Sequence, residues 1–249
     1  MYLIEPSAKR LYDTQVIKSP EIIAETNEYV VINKPAGYAV EPVGSYPAVV
    51  DWFSHRSRNP DVEAVHRLDV ETSGVLILAK DSSAKENLQR LWQGRSVKKT
   101  YLALTVGATP TRGEIELPII RDTKKDRMKA VILATGQGRA ALTRYRRIKL
   151  AKWQQHTVSL VEAHPVTGRT HQIRVHLKAI GHPIIGDRFY QDKEAKLIAD
   201  KLSLHRHFLH SYRLELEPGV RYEAKLPSDL SDALTTLGTG DIDSSIGSS

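Results

Sequence analysis

The sequence predicts an α+β protein built on a largely antiparallel mixed sheet with flanking helices. Three observations lead there. Short β-rich runs recur at close intervals with turn residues between them. Helical spacing shows in only two clear stretches. A chain of 249 residues with 41% hydrophobic content can bury a real core.

The elements follow in order. Residues 1–22 read as a mixed-polarity lead-in, too short for a domain of its own. A folded domain is expected over 23–234, and the small, polar residues 235–249 read as a disordered tail. "YVVINKPAG", Tyr29 to Gly37, is a β-branched strand running into a turn with Pro at its second position. Gly74 to Ala79 is apolar enough for a buried strand. "SSAKENLQRLWQG" is a helix that Ser82 or Ser83 can cap and Gly94 can stop, with Leu88, Leu91 and Trp92 as its stripe. "KTYLALTVG", "GEIELPII", "KAVILA", "AALTRYRRI" and "HTVSLVEAHP" read as successive strands. "THQIRVHLKAIGHP" returns to helical spacing, with Thr170 as its expected cap, and "FLHSYRLELEPG" and "RYEAKLP" close the chain as strands.

Composition narrows the function. Cys is absent, which removes disulfides, thiolate catalysis and Cys-based zinc sites and favours a cytoplasmic protein. No apolar run approaches a membrane span, and "MYLIEPSAKRLYDT" lacks the apolar stretch of a signal peptide. The net charge of +7 is concentrated: Arg90 to Lys152 holds 16 Lys/Arg against 4 Asp/Glu, and the remainder holds 20 against 25. Such a segment is either a solvated basic face or a surface that follows the phosphates of a polyanion.

The densest chemistry lies in "VHRLDVETSGVLILAK", Val65 to Lys80, where a polar turn containing Asp69 runs directly into the buried strand. An Asp ahead of Ser, Thr and Gly can simply shape a turn; a rigid strand behind it can also hold a working carboxylate. The protein-kinase His-Arg-Asp pattern does not fit, because Leu68 separates Arg67 from Asp69. Seven of the ten histidines fall between His164 and His210, yet His171 and His176 are five apart and no His-Glu-x-x-His spacing occurs. No metal site is expected. "PVTGRTHQIRVH" places Arg169, His171 and Arg174 around a helix start, which suits either a phosphate or an ordinary cap with exposed arginines. Arg174, one turn in, can reach a carboxylate from another segment and keep it ionised. Tyr101, in a strand behind two lysines, is either core or a surface for stacking on a base.

Taken together, "NKPAG", "HRLDVETSGVLILAK", "KKTYLAL", "TGRTHQIRVHLKAIGHPIIGDRFY", "LHSYRLEL" and "AKLP" resemble the RluA-type family of pseudouridine synthases, and they run from Asn33 to Pro227. The resemblance implies the pseudouridine synthase catalytic fold over 23–234 with a central RNA-binding cleft. It also implies isomerisation of uridines in structured RNA, large-subunit ribosomal RNA and/or transfer RNA, by a monomer without metal or cofactor. It implies Asp69 as the catalytic aspartate, Arg67 as the arginine that helps extract the base, and Tyr101 as the ring against the uracil. Arg174 would pair the aspartate and Leu226 would close the pocket. His66, Thr72, Arg169 and His171, inside the same motifs, join Arg67 and Leu226 as substrate-binding candidates. Many relatives carry an N-terminal S4-type RNA-binding domain that the lead-in cannot hold, so the chain looks like the stand-alone members. Ser211 stands where relatives often have Ala.

Two rival classes remain to be weighed. A glycoside hydrolase needs two opposed carboxylates, and only Asp69 has a motif around it. A non-catalytic RNA-binding or ribosome-assembly protein would use the same basic surface without requiring Asp69 and Arg174 together.

Overall fold

The computed structural model describes residues 18–94, 96–122, 127–130 and 138–239. In chain order the strands are β1 (Glu21–Glu25), β2 (Tyr29–Lys34), β3 (Glu63–Ala64), β4 (Ser73–Ala79), β5 (Lys98–Val106), β6 (Arg112–Glu116), β7 (Ile119–Asp122), β8 (Arg127–Ala130), β9 (Leu142–Trp153), β10 (His156–Pro165), β11 (Leu209–Glu217) and β12 (Val220–Glu223). The helices are α1 (Val49–Ser57), α2 (Ser82–Gln93), α3 (Gln172–Ala179), α4 (Lys193–Lys201) and α5 (Ser228–Thr236). Strands dominate, as an α+β fold requires, and none of the described helices is long and apolar enough to cross a membrane. The chain forms two compact units, Met1–Val97 with Ser211–Lys225, and Lys98–His210 with Leu226–Ser249.

In the first unit the strand order is β1-β2-β4-β11, with β3 against β4 and β12 against β11. β4 lies between two neighbours, and all seven of its residues are buried. A strand covered on both faces needs no polar alternation, which is why "GVLILA" is uniformly apolar. Val75, Ile77 and Ala79 point one way, onto Ala84 and Leu88 of α2, with Val31, Leu214 and Leu216 completing that cluster. Gly74, second in the strand, has φ +117°, and a Cβ there would stand 2.2 Å from the carbonyl oxygen of Ser211. The Gly of "TSG" is therefore demanded twice, by its backbone angle and by the neighbouring strand. Ser211 is buried and its hydroxyl donates to the Val75 carbonyl at 3.2 Å.

The cap of α2 differs from expectation. Asp81, not Ser82 or Ser83, is the N-cap, its carboxylate accepting from the Ala84 amide at 2.8 Å. Asp caps as well as Ser and adds a negative charge at the positive helix end.

In the second unit β5, β10, β9 and β6 form an antiparallel run in that order. β9 and β10 are joined at Gln154 and Gln155, with Gln154 at φ 53° and Trp153 facing His156. "GEIELPII" is two strands rather than one. β6 pairs β9, while β7 leaves to pair β8 as a separate ribbon, and Pro118, which has no amide hydrogen for a ladder, lies between them. Of "KAVILA", Lys129 and Ala130 belong to β8 and the rest lies outside the described residues. Thr170 does not cap α3. His171 holds the N-cap position in the left-handed region, φ 56°, without a side-chain cap. The buried Gln172 does the local work instead, its carbonyl oxygen accepting from the Arg169 amide at 3.0 Å and the Thr167 hydroxyl at 2.6 Å.

Candidate active site

The Asp69 segment is built from its own neighbours. The Thr72 amide donates to the Asp69 carbonyl at 3.0 Å, so Asp69 opens a β-turn that ends one residue before β4. Leu68 is buried while Arg67 is exposed and Asp69 half-buried. The apolar residue thus pins the segment between its two charged neighbours. Thr72 is 2% exposed and belongs to the frame of the turn.

A second motif seats this turn. Lys34, at the end of β2 opposite Gly74, is fully buried. Its ammonium donates to the carbonyls of Pro35 at 3.0 Å, Tyr38 at 2.8 Å and Val70 at 3.1 Å. The Gly37 amide reaches the same Val70 carbonyl at 2.9 Å. "NKPAG" and "HRLDVETSG" are therefore one construction, in which a buried cation donates to carbonyls of its own turn and to that of Val70, the residue after Asp69. The spacing of Lys34 to Pro35 gave the turn but not this seat, which depends on a partner 36 residues away.

His66 is engaged by the scaffold. Its Nε2 accepts from the Ile77 amide at 3.1 Å, and its ring stacks on Trp92 of α2, centroids 4.9 Å apart at 23°. A nitrogen that accepts carries no proton, so the imidazole is neutral there.

The second unit assembles Arg169, His171 and Arg174 at the start of α3. Arg174 reaches a carboxylate from another segment, and that carboxylate is Asp187. Arg174 Nε donates to Oδ2 at 2.7 Å and Nη2 to Oδ1 at 2.8 Å, in a fork with side chains 3% and 0% exposed. Burial alone would push the Asp187 carboxyl up, but the Arg174 charge and hydrogen bonds, with His207 and the Phe189 amide, hold it below its ordinary value. The Arg174 guanidinium also lies 5.1 Å from the Tyr190 ring centroid and 5.6 Å from that of Phe189. Tyr190 in turn binds His171 Nδ1 at 2.8 Å through its hydroxyl, which also accepts from the Met128 amide of β8 at 3.1 Å. Arg169 Nε donates to the Ala140 carbonyl at 3.1 Å. Asp187 and Tyr190, in "GDRFY", escaped notice as separate site residues because neither carries a local pattern that betrays a partner.

His176 explains another buried histidine. Its Nε2 donates to the Leu117 carbonyl at 2.9 Å and its Nδ1 meets the Thr143 hydroxyl at 2.9 Å. Burial pushes its pKa down, only partly offset by the Leu117 carbonyl, so it stays neutral. Tyr101 lies in β5 opposite Ala163 and is 9% exposed, and Leu226, half-buried, directly precedes Pro227 at the start of α5. The basic middle of the chain is partly neutralised on the sheet: Arg144 binds Glu114 at 2.7 Å and Arg146 binds Glu162 at 2.8 Å.

A carboxylate turn on a buried strand and an arginine clamped at a helix start both fall within residues 28–179, which match the family described as RNA pseudouridylate synthase. The chain belongs to that family, and its activity is that of an RNA pseudouridine synthase. It is of the RluA type. It is 36% identical over 196 residues to the dual-specificity RNA pseudouridine synthase RluA of Vibrio parahaemolyticus, covering 77% of each chain. Against the RluA of Escherichia coli strain K12 it is 37% identical over 191 residues, 76% of this chain and 84% of that one. The solved structure of human RNA pseudouridylate synthase domain containing 4 superposes with a TM-score of 0.71 at 28% identity, covering 93% of this chain and 95% of that one.

Proposed function

We propose that this synthase isomerises uridines in large-subunit ribosomal RNA, transfer RNA or both, with Asp69 as the catalytic carboxylate. The observation that carries the reading is the seat of Asp69: a turn fixed to a fully buried strand and held by the three-way Lys34 ammonium. The dual-specificity name of the relatives supports more than one RNA substrate.

In the reaction the C1′–N1 bond of uridine breaks and a C1′–C5 bond forms. C5 gives up its proton and N1 gains one, so the product is an isomer. Asp69 assists departure of the base from C1′, by attack on the sugar or by removal of a sugar proton. Arg67, exposed two residues before it, enters the space that the extracted base leaves, since flipping costs a few kcal/mol that protein contacts offset. Tyr101 and Leu226 wall the detached uracil, and Arg174 supports the ionised Asp69. Arg169 and His171 bind phosphate, with His66 and Thr72 keeping the turn in shape. The enzyme works as a cytoplasmic monomer without metal or cofactor.

Tritium release from C5-tritiated transcripts tests this, using ribosomal fragments and a transfer RNA pool from cells lacking the protein. Wild type is expected to release tritium, while Asp69→Asn releases none and binds the same RNA unchanged. Equal binding with no release by either protein would favour a non-catalytic RNA-binding or assembly role and sink the catalytic reading for these RNAs.

A further inference from the structure

Three large apolar side chains are exposed among the described residues, Leu150 at 44%, Leu197 at 43% and Phe189 at 37%. Phe189 is the only aromatic of the three, and its setting differs from that of an incidental surface residue. Its amide donates to Asp187 Oδ1 at 3.1 Å, and its carbonyl accepts from the Arg127 guanidinium. The backbone is thus held on both sides, by a carboxylate that is itself locked to Arg174 and by the β8 ribbon. The His171 ring lies 6.1 Å away at 34°, and the Arg174 guanidinium 5.6 Å away. Arg188, the preceding residue, is exposed and donates to the His205 carbonyl.

We propose that Phe189 is a stacking platform for an unpaired nucleobase of the RNA substrate. An aromatic ring kept wet yet rigid loses little freedom on binding, and a base offers it a π-face of any sequence. The guanidinium groups of Arg127 and Arg188 beside it suit the phosphates on either side of that base. They would instead penalise an apolar protein partner, whose burial would strip water from two cations. This inference rests on the RNA-substrate reading above and adds a subsite to it.

The competing explanation is that the ring merely covers Arg174. A Leu side chain would cover it as well, whereas only an aromatic ring stacks on a base. The test therefore compares Phe189→Leu with Phe189→Trp. Filter binding of the same transcripts is measured in the Asp69→Asn background, where no turnover occurs, and tritium-release kinetics are measured with Asp69 intact. The expected result is binding weakened about 5- to 150-fold by Leu, the range one base–aromatic stack supplies, with KM raised to match, kcat kept and Trp near wild type. Leu binding as tightly as Phe would overturn the platform. So would a loss of kcat shared by Leu and Trp, which would mark a disturbed Arg174. The two readings fail separately: Phe189-dependent binding without release by wild type would remove only the catalytic assignment, and release with Phe189-independent binding would remove only the subsite.

Discussion

Replacing Asp187 with Asn should cost stability out of proportion to the change in shape. The carboxylate is wholly buried and holds Arg174 through two charge-assisted hydrogen bonds of 2.7 and 2.8 Å. Asn keeps the volume but removes the charge, so a guanidinium 3% exposed loses two charge-assisted hydrogen bonds. Removing one partner of such a pair typically costs about 3–5 kcal/mol. At an m-value of about 3 kcal/mol per molar, the urea midpoint at pH 7 should fall by about 1–2 M. The pH dependence gives a second signature. Because the folded-state pKa of Asp187 lies below its unfolded value, its contribution is present above about pH 3.9 and is lost as pH falls through the folded value. Asp187→Asn should lack that acid-side component. A double variant, Asp187→Asn with Arg174→Met, should be more stable than the single one, since the buried guanidinium is then removed with its carboxylate. A single-variant cost below about 1 kcal/mol, or strict additivity in the double variant, would refute the picture of a desolvated, mutually dependent pair.

Two further outcomes follow from the scaffold of the site. Gly74→Ala puts a Cβ against the Ser211 carbonyl at a backbone angle that side chains avoid, and should cost about 2–6 kcal/mol by thermal or urea unfolding; unchanged stability would show that β4 and β11 separate easily. His176, kept neutral by burial, should make the protein lose stability as pH falls below about 6.5, because the unfolded chain takes a proton that the folded one resists. His176→Gln should flatten that dependence by up to about 1.4 kcal/mol per pH unit, and an identical slope in both proteins would exclude His176 as its source.

The sequence made the strands of the site legible because their signals are local. β2, β4, β5, β9, β10 and β11 announce themselves through β-branched and apolar runs between turn residues, and close groupings of His and Arg, with acids in the first case, mark the Asp69 turn and the start of α3. Helices α1, α4 and α5 went unread. In α4 the buried face is Ala195, Ile198 and Ala199, too slight a stripe to stand out, although Asp192 caps it at 2.8 Å from the Ala195 amide. The expected Ser and Thr caps failed for a related reason: several residues near a helix start can accept a hydrogen bond, and packing of the preceding strand or loop chooses among them.

By itself the sequence determined the order of the motifs, the family they compose and the carboxylate on which to bet. Those depend on residue identity and on spacing along the chain. The tertiary structure decided which charges are buried and what neutralises them. Lys34 becomes the seat of the Asp69 turn only because β2 and β4 pair in a register that brings its ammonium to Val70. Arg174 is clamped by Asp187, and Gly74 is indispensable because the Ser211 backbone passes where a side chain would stand. Desolvation and close approach are properties of three-dimensional surroundings, and no local pattern carries them.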